Sequence, residues 1–358
     1  MSPAVGMSSN LWPTPVALVG IGLMGLAMAL RLRDAGQAVR VCDIDPARTA
    51  LAAAAGCSVA PSPAAAAAAC TLLVVAVVDA AQAEAVLFGP QGAAAALPVA
   101  ASVMLCPTIA PADVERLAAR LAAAGLGCLD APMSGGPARA RDGSMSLMVA
   151  CAAPLWAAHE ALLRHLAARL FHVGARPGDG ARTKLVNNLL AAANLAAAAE
   201  AIALAQRLGL DGAQTLAVIE QSSGQSWIGS ERMARALAGD FAPRAQMSLL
   251  AKDSTLALAM AAEAGVAPAM GTQAAAMFQA ALTAGLGAQD DARLLSLVEA
   301  GFDQADTPAT AVTPATPATP ATSATSAGLA LPTPPMQPTR PALPALPALP
   351  AVAHRPAG

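Results

Sequence analysis

Lys184 and Lys252 are the only lysines among the 21 cationic Lys and Arg side chains of this 358-residue chain. A lysine ammonium can be tuned to release and retake a proton, whereas a guanidinium stays charged. Drift toward arginine with two chance survivors is the plain reading, so the surrounding residues must decide. Lys184 follows Gly178-Asp179-Gly180, and Asn187 and Asn188 lie three and four residues beyond it. On a helix that spacing puts all three on one face. A lysine with a neutral amide one turn along suits an acid/base group beside a positioned substrate oxygen. A solvated surface lysine is the alternative, but adjacent asparagines are poor helix formers and need a reason.

A second cluster is Gly20-Ile21-Gly22-Leu23-Met24-Gly25, placed between an apolar β-type run and an alanine-leucine helical pattern. Gly20 suits a tight turn, Gly22 lets backbone approach a pyrophosphate, and Gly25 lets helix and strand pack closely. The helix N-terminus then offers free N–H groups to the phosphates. Asp43 closes the next strand 18 residues past Gly25, near the spacing of about 20 expected for a ribose 2′-hydroxyl acceptor. A carboxylate there favours NAD and repels a 2′-phosphate, although Arg48 nearby leaves NADP open. The third cluster, Asp130-Ala131-Pro132-Met133-Ser134-Gly135-Gly136, ends a strand with a turn whose N–H groups and hydroxyl could clamp a carboxylate. Alone, such a turn is usually an ordinary loop.

The elements that must position these clusters are legible in outline. Candidate strands are Val16–Gly20, Val39–Cys42, Leu72–Val78, Ser102–Cys106, Cys128–Ala131 and Leu147–Ala150, separated by helical patterns. That alternation predicts an α/β fold with a mainly parallel, doubly wound sheet of Rossmann type over residues 15–177. Strand signals then stop. Residues 182–207 read as one long interdomain helix, opening an all-α C-terminal domain over 178–302. Breaks are expected near Gly209–Gly212, Gly224–Ser226, Gly239–Pro243 and Gly265–Pro268. Residues 1–14 read as a flexible leader. The Pro/Ala/Thr-rich residues 303–358 lack the apolar surface to offset their ordering cost and are expected to be disordered.

Composition removes several function classes. A net charge of −2 gives no sign of a nucleic-acid partner. The longest apolar run, residues 64–78, is short of the roughly 20 a membrane span needs, and divides into an alanine helix and a strand. No charged stretch precedes an apolar run at the N-terminus, so no signal peptide is expected. The six cysteines have no metal-ligand spacing, read as buried reduced thiols, and point to the cytoplasm. No tyrosine is present, which excludes a Tyr/Lys dehydrogenase pair. His159, His165 and His172 read as surface or capping residues, and no cluster suits a metal.

Taken in order, the glycine fingerprint, the DAPxSGG segment and the GxGxxxK helix resemble the β-hydroxyacid dehydrogenase family over residues 16–302. The resemblance implies an NAD(P)-dependent oxidoreductase acting on a small β-hydroxy acid, with Lys184 as catalytic acid/base. It further implies that Ser134, Gly135 and Gly136 bind the substrate carboxylate and that Asn188 orients the substrate. Val77, Thr108 and Lys252 fall on cofactor-contacting positions, with Lys252-Asp253 reaching back from the helical domain. Departures are Val77-Val78 for a Leu-Pro pair, Pro107 for a serine and Arg139 for a glycine. Ser222–Trp227 is similar to the L-threonate dehydrogenase branch, which implies a polar three- or four-carbon acid. Members pair into homodimers or homotetramers, and the alanine-rich face of residues 189–205 would permit that packing. Two alternatives stand beside this reading: a non-catalytic nucleotide-binding module with an interaction tail, and imine reduction, where the lysine position differs.

Overall fold

The computed structural model describes residues 14–305, so almost all of the expected leader and of the expected tail lies outside the described residues. The chain opens with β1 (Val16–Val19), α1 (Leu23–Asp34), β2 (Val39–Cys42), α2 (Pro46–Ala54), β3 (Ser58–Val59) and α3 (Pro63–Ala67). It continues with β4 (Leu72–Val75), α4 (Ala80–Phe88), β5 (Ser102–Leu105), α5 (Pro111–Ala123) and β6 (Gly127–Asp130). The α/β part closes with β7 (Met133–Ser134), α6 (Gly136–Asp142), β8 (Ser146–Ala150), α7 (Ala153–Leu166) and β9 (Arg169–Gly174). Six helices follow: α8 (Asp179–Arg207), α9 (Gly212–Glu220), α10 (Trp227–Leu237), α11 (Met247–Glu263), α12 (Ala269–Thr283) and α13 (Leu294–Ala305).

Short polar residues set where these helices begin. Asp45, Ser62, Asp79, Asp211 and Ser226 each accept a hydrogen bond from a first-turn N–H of the helix that follows. Proline at the first helical position of α2 and α3 fits the same logic, because its missing N–H would have had no helical partner.

Strands run in the order β3-β2-β1-β4-β5-β6, all parallel, and the order reverses between β1 and β4. Beyond β6 the chain turns antiparallel: Asp130, Met133 and Ser134 face Ala150, Leu147 and Ser146 of β8 in one register, and β9 pairs parallel to the other edge of β8. Alternate residues feed two separate cores. Val16, Leu18, Leu72 and Val74 pack on one face, and Ala17, Val19, Leu73 and Val75 on the other. Burial on both faces explains why these strands read as unbroken apolar runs.

Three strands escaped the sequence reading. β3 and β7 have two residues each, too few for a pattern. β9 is a largely exposed edge strand with Arg169 and His172 on it, so it carries charge where the inner strands carry valine. The long helix starts at Asp179, earlier than the residue 182 expected, and the last helix runs to Ala305, beyond the expected boundary at 302.

The alanine-rich stretch of α8 has two sides. Ala192, Leu195, Ala196, Ala199, Ile202 and Ala203 are buried in the chain's own helical core with Met233, Met247 and Phe278. Small side chains let α10, α11, α12 and α13 close on this side of α8, while Leu190, Ala197, Ala201 and Leu204 of the same stretch remain exposed on the other. α8 is also long and apolar enough to cross a membrane by length and composition, yet it serves here as the central core helix.

His159 is corrected too. It is buried in α7 with its Nε2 2.8 Å from Ser102 Oγ, and burial pushes its pKa down. Leu155, Leu162, Leu163 and Leu166 lie on the same helical face, so the periodicity already placed it inward. His172 is exposed, stacked on Trp156, and bonded to the Cys151 carbonyl, while His165 is half-buried. All six cysteines are buried and free, as expected.

Candidate active site

The reversal of strand order opens a crevice at the carboxyl ends of β1, β4 and β5, the usual ligand position in such sheets. A cavity of about 900 Å³ lies there. Gly22, Leu23 and Met24 line it after β1, Ala76–Val78 after β4, and Cys106–Thr108 after β5. The helical domain closes the opposite side through α8, α10 and α11.

The glycine turn has a division of labour. Gly20 adopts φ +87, and a Cβ on it would meet the Ala76 carbonyl oxygen at 2.8 Å. Gly25 has even less room, with the Gly20 carbonyl oxygen 2.0 Å from an added Cβ. Gly22 meets nothing within 4 Å and faces the cavity. The first helical bond of α1 runs from Leu26 N–H to the Gly22 carbonyl, so the N–H groups of Leu23, Met24 and Gly25 precede any helical acceptor. α1 has no acidic residue in its first turn and no side-chain cap. The turn therefore fits a dinucleotide pyrophosphate, which would lie against bare glycine and the positive end of the helix.

Of the expected cofactor residues, Gly22, Leu23, Met24, Val77, Thr108 and Lys252 line the cavity, whereas Gly20, Ile21, Gly25 and Asp43 stand behind it. Asp43 accepts hydrogen bonds from Ile21 N–H at 2.6 Å and Asp45 N–H at 2.9 Å. It thus ties the glycine turn to the start of α2. Arg48 does line the cavity, with Asp45 3.9 Å away.

The Asp130–Gly136 cluster divides in function. Ser134, Gly135 and Gly136 line the cavity, and the two glycines take φ +124 and +77. Asp130 turns away and clamps α8. Its Oδ2 accepts from Gly178 N–H at 2.8 Å and Ala181 N–H at 3.0 Å, supplying the cap the helix lacks from its own residues. Burial pushes this carboxyl up to about 6, against the N–H donors that pull it down. Gly180 is required here, since a Cβ would meet the Asp130 carbonyl oxygen at 2.7 Å. Asp130→Ala leaves the Gly178 and Ala181 N–H groups without their acceptor. It is expected to destabilise the fold by about 1–3 kcal/mol, read as a lower urea midpoint. An unchanged midpoint would show that the clamp is not needed.

One helical turn past this clamp stands Lys184, 8% exposed and lining the cavity. Among the described residues nothing accepts a hydrogen bond from its ammonium. Burial pushes its pKa from 10.5 down to about 8; Asp253 opposes that shift and Lys252 adds to it. A hydrogen-bonded chain runs beside it. Lys252 Nζ donates to the Thr108 carbonyl and, at 2.7 Å, to Asp253 Oδ1. Asn188 Nδ2 donates to Asp253 Oδ2 at 2.6 Å, and Asn187 Nδ2 to Asn188 Oδ1 at 3.0 Å. The acceptor-only carboxylate dictates which end of the Asn188 amide is nitrogen. The chain links the loop after β5 to the face of α8 that carries Lys184.

Among the lining residues to which sequence reading gave no role are Asn194, Trp227, Arg232 and Asp291. Asn194 had a signal, as a lone amide in an alanine-rich helix ten residues, or about 15 Å, past Lys184. Trp227 lay in a noted segment, and Ser226 turns out to cap α10 through Gly229 N–H at 3.2 Å. Arg139 lies over the Trp227 ring, 4.5 Å from its centroid, joining α6 to α10. Arg232 and Asp291 had no signal, because their pairing spans 59 residues. Among the described residues no group of three or more His, Cys, Asp or Glu is placed to hold a metal ion.

Comparison with known proteins agrees with this layout. Residues 15–174 match the family described as the NAD-binding domain of 6-phosphogluconate dehydrogenase. Residues 178–298 match the one described as NAD-binding of NADP-dependent 3-hydroxyisobutyrate dehydrogenase. L-threonate dehydrogenase of Cupriavidus necator is 38% identical over 282 residues, which are 79% of this chain and 95% of that protein. The crystal structure of 3-hydroxyisobutyrate dehydrogenase from Salmonella typhimurium has a TM-score of 0.74 at 33% identity, covering 79% of this chain and 99% of that one. Psf3, solved in complex with NADP+ and 2-OPP, has a TM-score of 0.74 at 27% identity over 79% of this chain and 99% of its own.

Proposed function

Because the chain belongs to the β-hydroxyacid dehydrogenase family, we propose that Lys184 is the acid/base of its reaction and that a polar four-carbon acid of the L-threonate type is its substrate. The protein is an NAD(P)-dependent oxidoreductase acting on the CH–OH group of a small hydroxy acid. That sets aside the reading as a non-catalytic module.

The observation that carries the lysine assignment is an ammonium held at a pKa of about 8 in a buried wall of the cavity. Bound nicotinamide supplies the hydride acceptor. Neutral Lys184 takes the hydroxyl proton as the C–H bond breaks, and returns it in the reductive direction. Ser134 Oγ and the N–H groups of Gly135 and Gly136 hold the substrate carboxylate, as a turn of positive-φ glycines can. Asn188, its amide fixed by Asp253, directs its second N–H toward the reacting oxygen. Gly22, Leu23, Met24, Val77, Thr108 and Lys252 hold the cofactor, with Gly20, Ile21, Gly25 and Asp43 shaping the turn beneath it.

Substrate choice rests on the 38% identical L-threonate dehydrogenase and on a cavity lined by the polar Asn187, Asn194 and Arg232, which suits a polyhydroxy acid better than a methyl-bearing one. NAD is the preferred cofactor in this reading, since Asp43 keeps a carboxylate beside the turn and Asp45 offsets Arg48. A cytoplasmic homodimer or homotetramer completes it.

Absorbance of reduced nicotinamide tests the proposal with purified protein, NAD or NADP, and L-threonate, 3-hydroxyisobutyrate, glycerate and serine. L-threonate with NAD is expected to give the highest kcat/KM. Stronger turnover of 3-hydroxyisobutyrate would overturn the substrate assignment.

A further inference from the structure

Arg232 has an unusual position for a cation. It is 8% exposed and lines the cavity from α10, opposite the sheet. Its Nε donates to Asp291 and its Nη1 to Glu231. Nη2 has no hydrogen-bond partner among the described residues and is not among the buried unpaired atoms, so it keeps accessible surface on a residue that lines the cavity. A guanidinium anchored at two nitrogens is rigid, and the third then presents its N–H groups at small entropic cost. Asn194 of α8 also lines the cavity, its carbonyl oxygen 3.9 Å from where a Cβ on Gly229 of α10 would stand.

We propose that Arg232 is a specificity-determining residue whose Nη2 donates a hydrogen bond to an uncharged hydroxyl at the substrate end remote from the carboxylate. The proposal rests on the L-threonate reading above and names what recognises that acid's terminal hydroxyl. Charge decides between a hydroxyl and a second carboxylate. Arg232 and Arg235 face Glu231, Asp290 and Asp291, so the carboxylates outnumber the buried cations. Arg244, half-exposed at the edge, is paired with Asp240. An anionic tail would enter a site whose positive charge is already matched, whereas a hydroxyl needs only the donor.

The test compares L-threonate with the 2,3-dihydroxybutanoate of matching configuration, which lacks only the terminal hydroxyl. Wild type should favour L-threonate by about 10–100-fold in kcat/KM, the range for a polar site deprived of its partner. Arg232→Met leaves Asp291 without its cation, so Arg232→Met/Asp291→Asn is measured beside it. Melting temperature and NADH affinity confirm that each variant is folded. In the folded variant the preference should fall to about 1–3-fold. L-threonate turnover with an unchanged preference would overturn the role of Arg232 and leave the substrate reading standing. Turnover of 3-hydroxyisobutyrate without any of L-threonate would overturn both.

Discussion

Lys184→Ala is expected to lower turnover by about 10²–10⁴-fold, the range for a general acid–base group, while NADH affinity stays within a few-fold of wild type. The proposed cofactor contacts lie on the sheet loops and Lys252, and Lys184 contributes no hydrogen bond among the described residues that its loss would break. Lys184→Arg should fail almost as badly, because guanidinium does not release its proton at working pH. A folded Lys184→Ala protein that keeps wild-type turnover would remove the assignment. The pH profile gives an independent check with a defined sign. Oxidation needs the neutral amine, so kcat/KM should fall as pH drops below about 8. Reduction needs the ammonium and should fall as pH rises above about 8. Profiles that bend the same way in both directions would contradict a single lysine acting in both.

Gly25→Ala is expected to lower NADH affinity by about 100-fold or more and to cost stability of about 3 kcal/mol. Its Cβ would sit 2.0 Å from the Gly20 carbonyl oxygen and 3.2 Å from Leu18 Cδ2. The oxygen belongs to a turn that is itself pressed against the Ala76 carbonyl, so neither side can give way cheaply. Gly22→Ala is the contrasting variant. Open space surrounds that Cβ, so the urea midpoint should hold while cofactor affinity falls. Fluorescence titration and urea unfolding of both variants separate packing from binding. If Gly22→Ala binds NADH as wild type does, the pyrophosphate does not pass there.

What the sequence disclosed and what it hid divide along physical lines. The glycine turn, the Ser-Gly-Gly turn and the lysine helix were legible because each is local, with residue type and spacing carrying the message within a few positions. The inner strands were legible because both their faces are buried. Asp130 was noticed as part of a motif, but its clamp on Gly178 and Ala181 was not, because the partners lie 48 and 51 residues away. Arg232 and Asp291 were hidden for the same reason. The alanines of α8 signal close helix packing without saying whose helix arrives: one side meets the chain's own helices, and Leu190 and Leu204 stay exposed on the other. His159 was misjudged through attention to residue type over its place in the leucine pattern of α7.

The buried ammonium has a consequence for protein engineering. An amine whose pKa falls from 10.5 to about 8 on folding penalises the native state while it is charged. The penalty is full below pH 8 and fades as pH climbs toward 10.5. At neutral pH it amounts to ~3 kcal/mol, a large share of the 5–15 kcal/mol by which folded proteins typically stand above their unfolded states. Replacing Lys184 by methionine fills the same space without charge. On the proposed role of Lys184, directed evolution that rewarded heat tolerance alone would trade turnover for stability at this position.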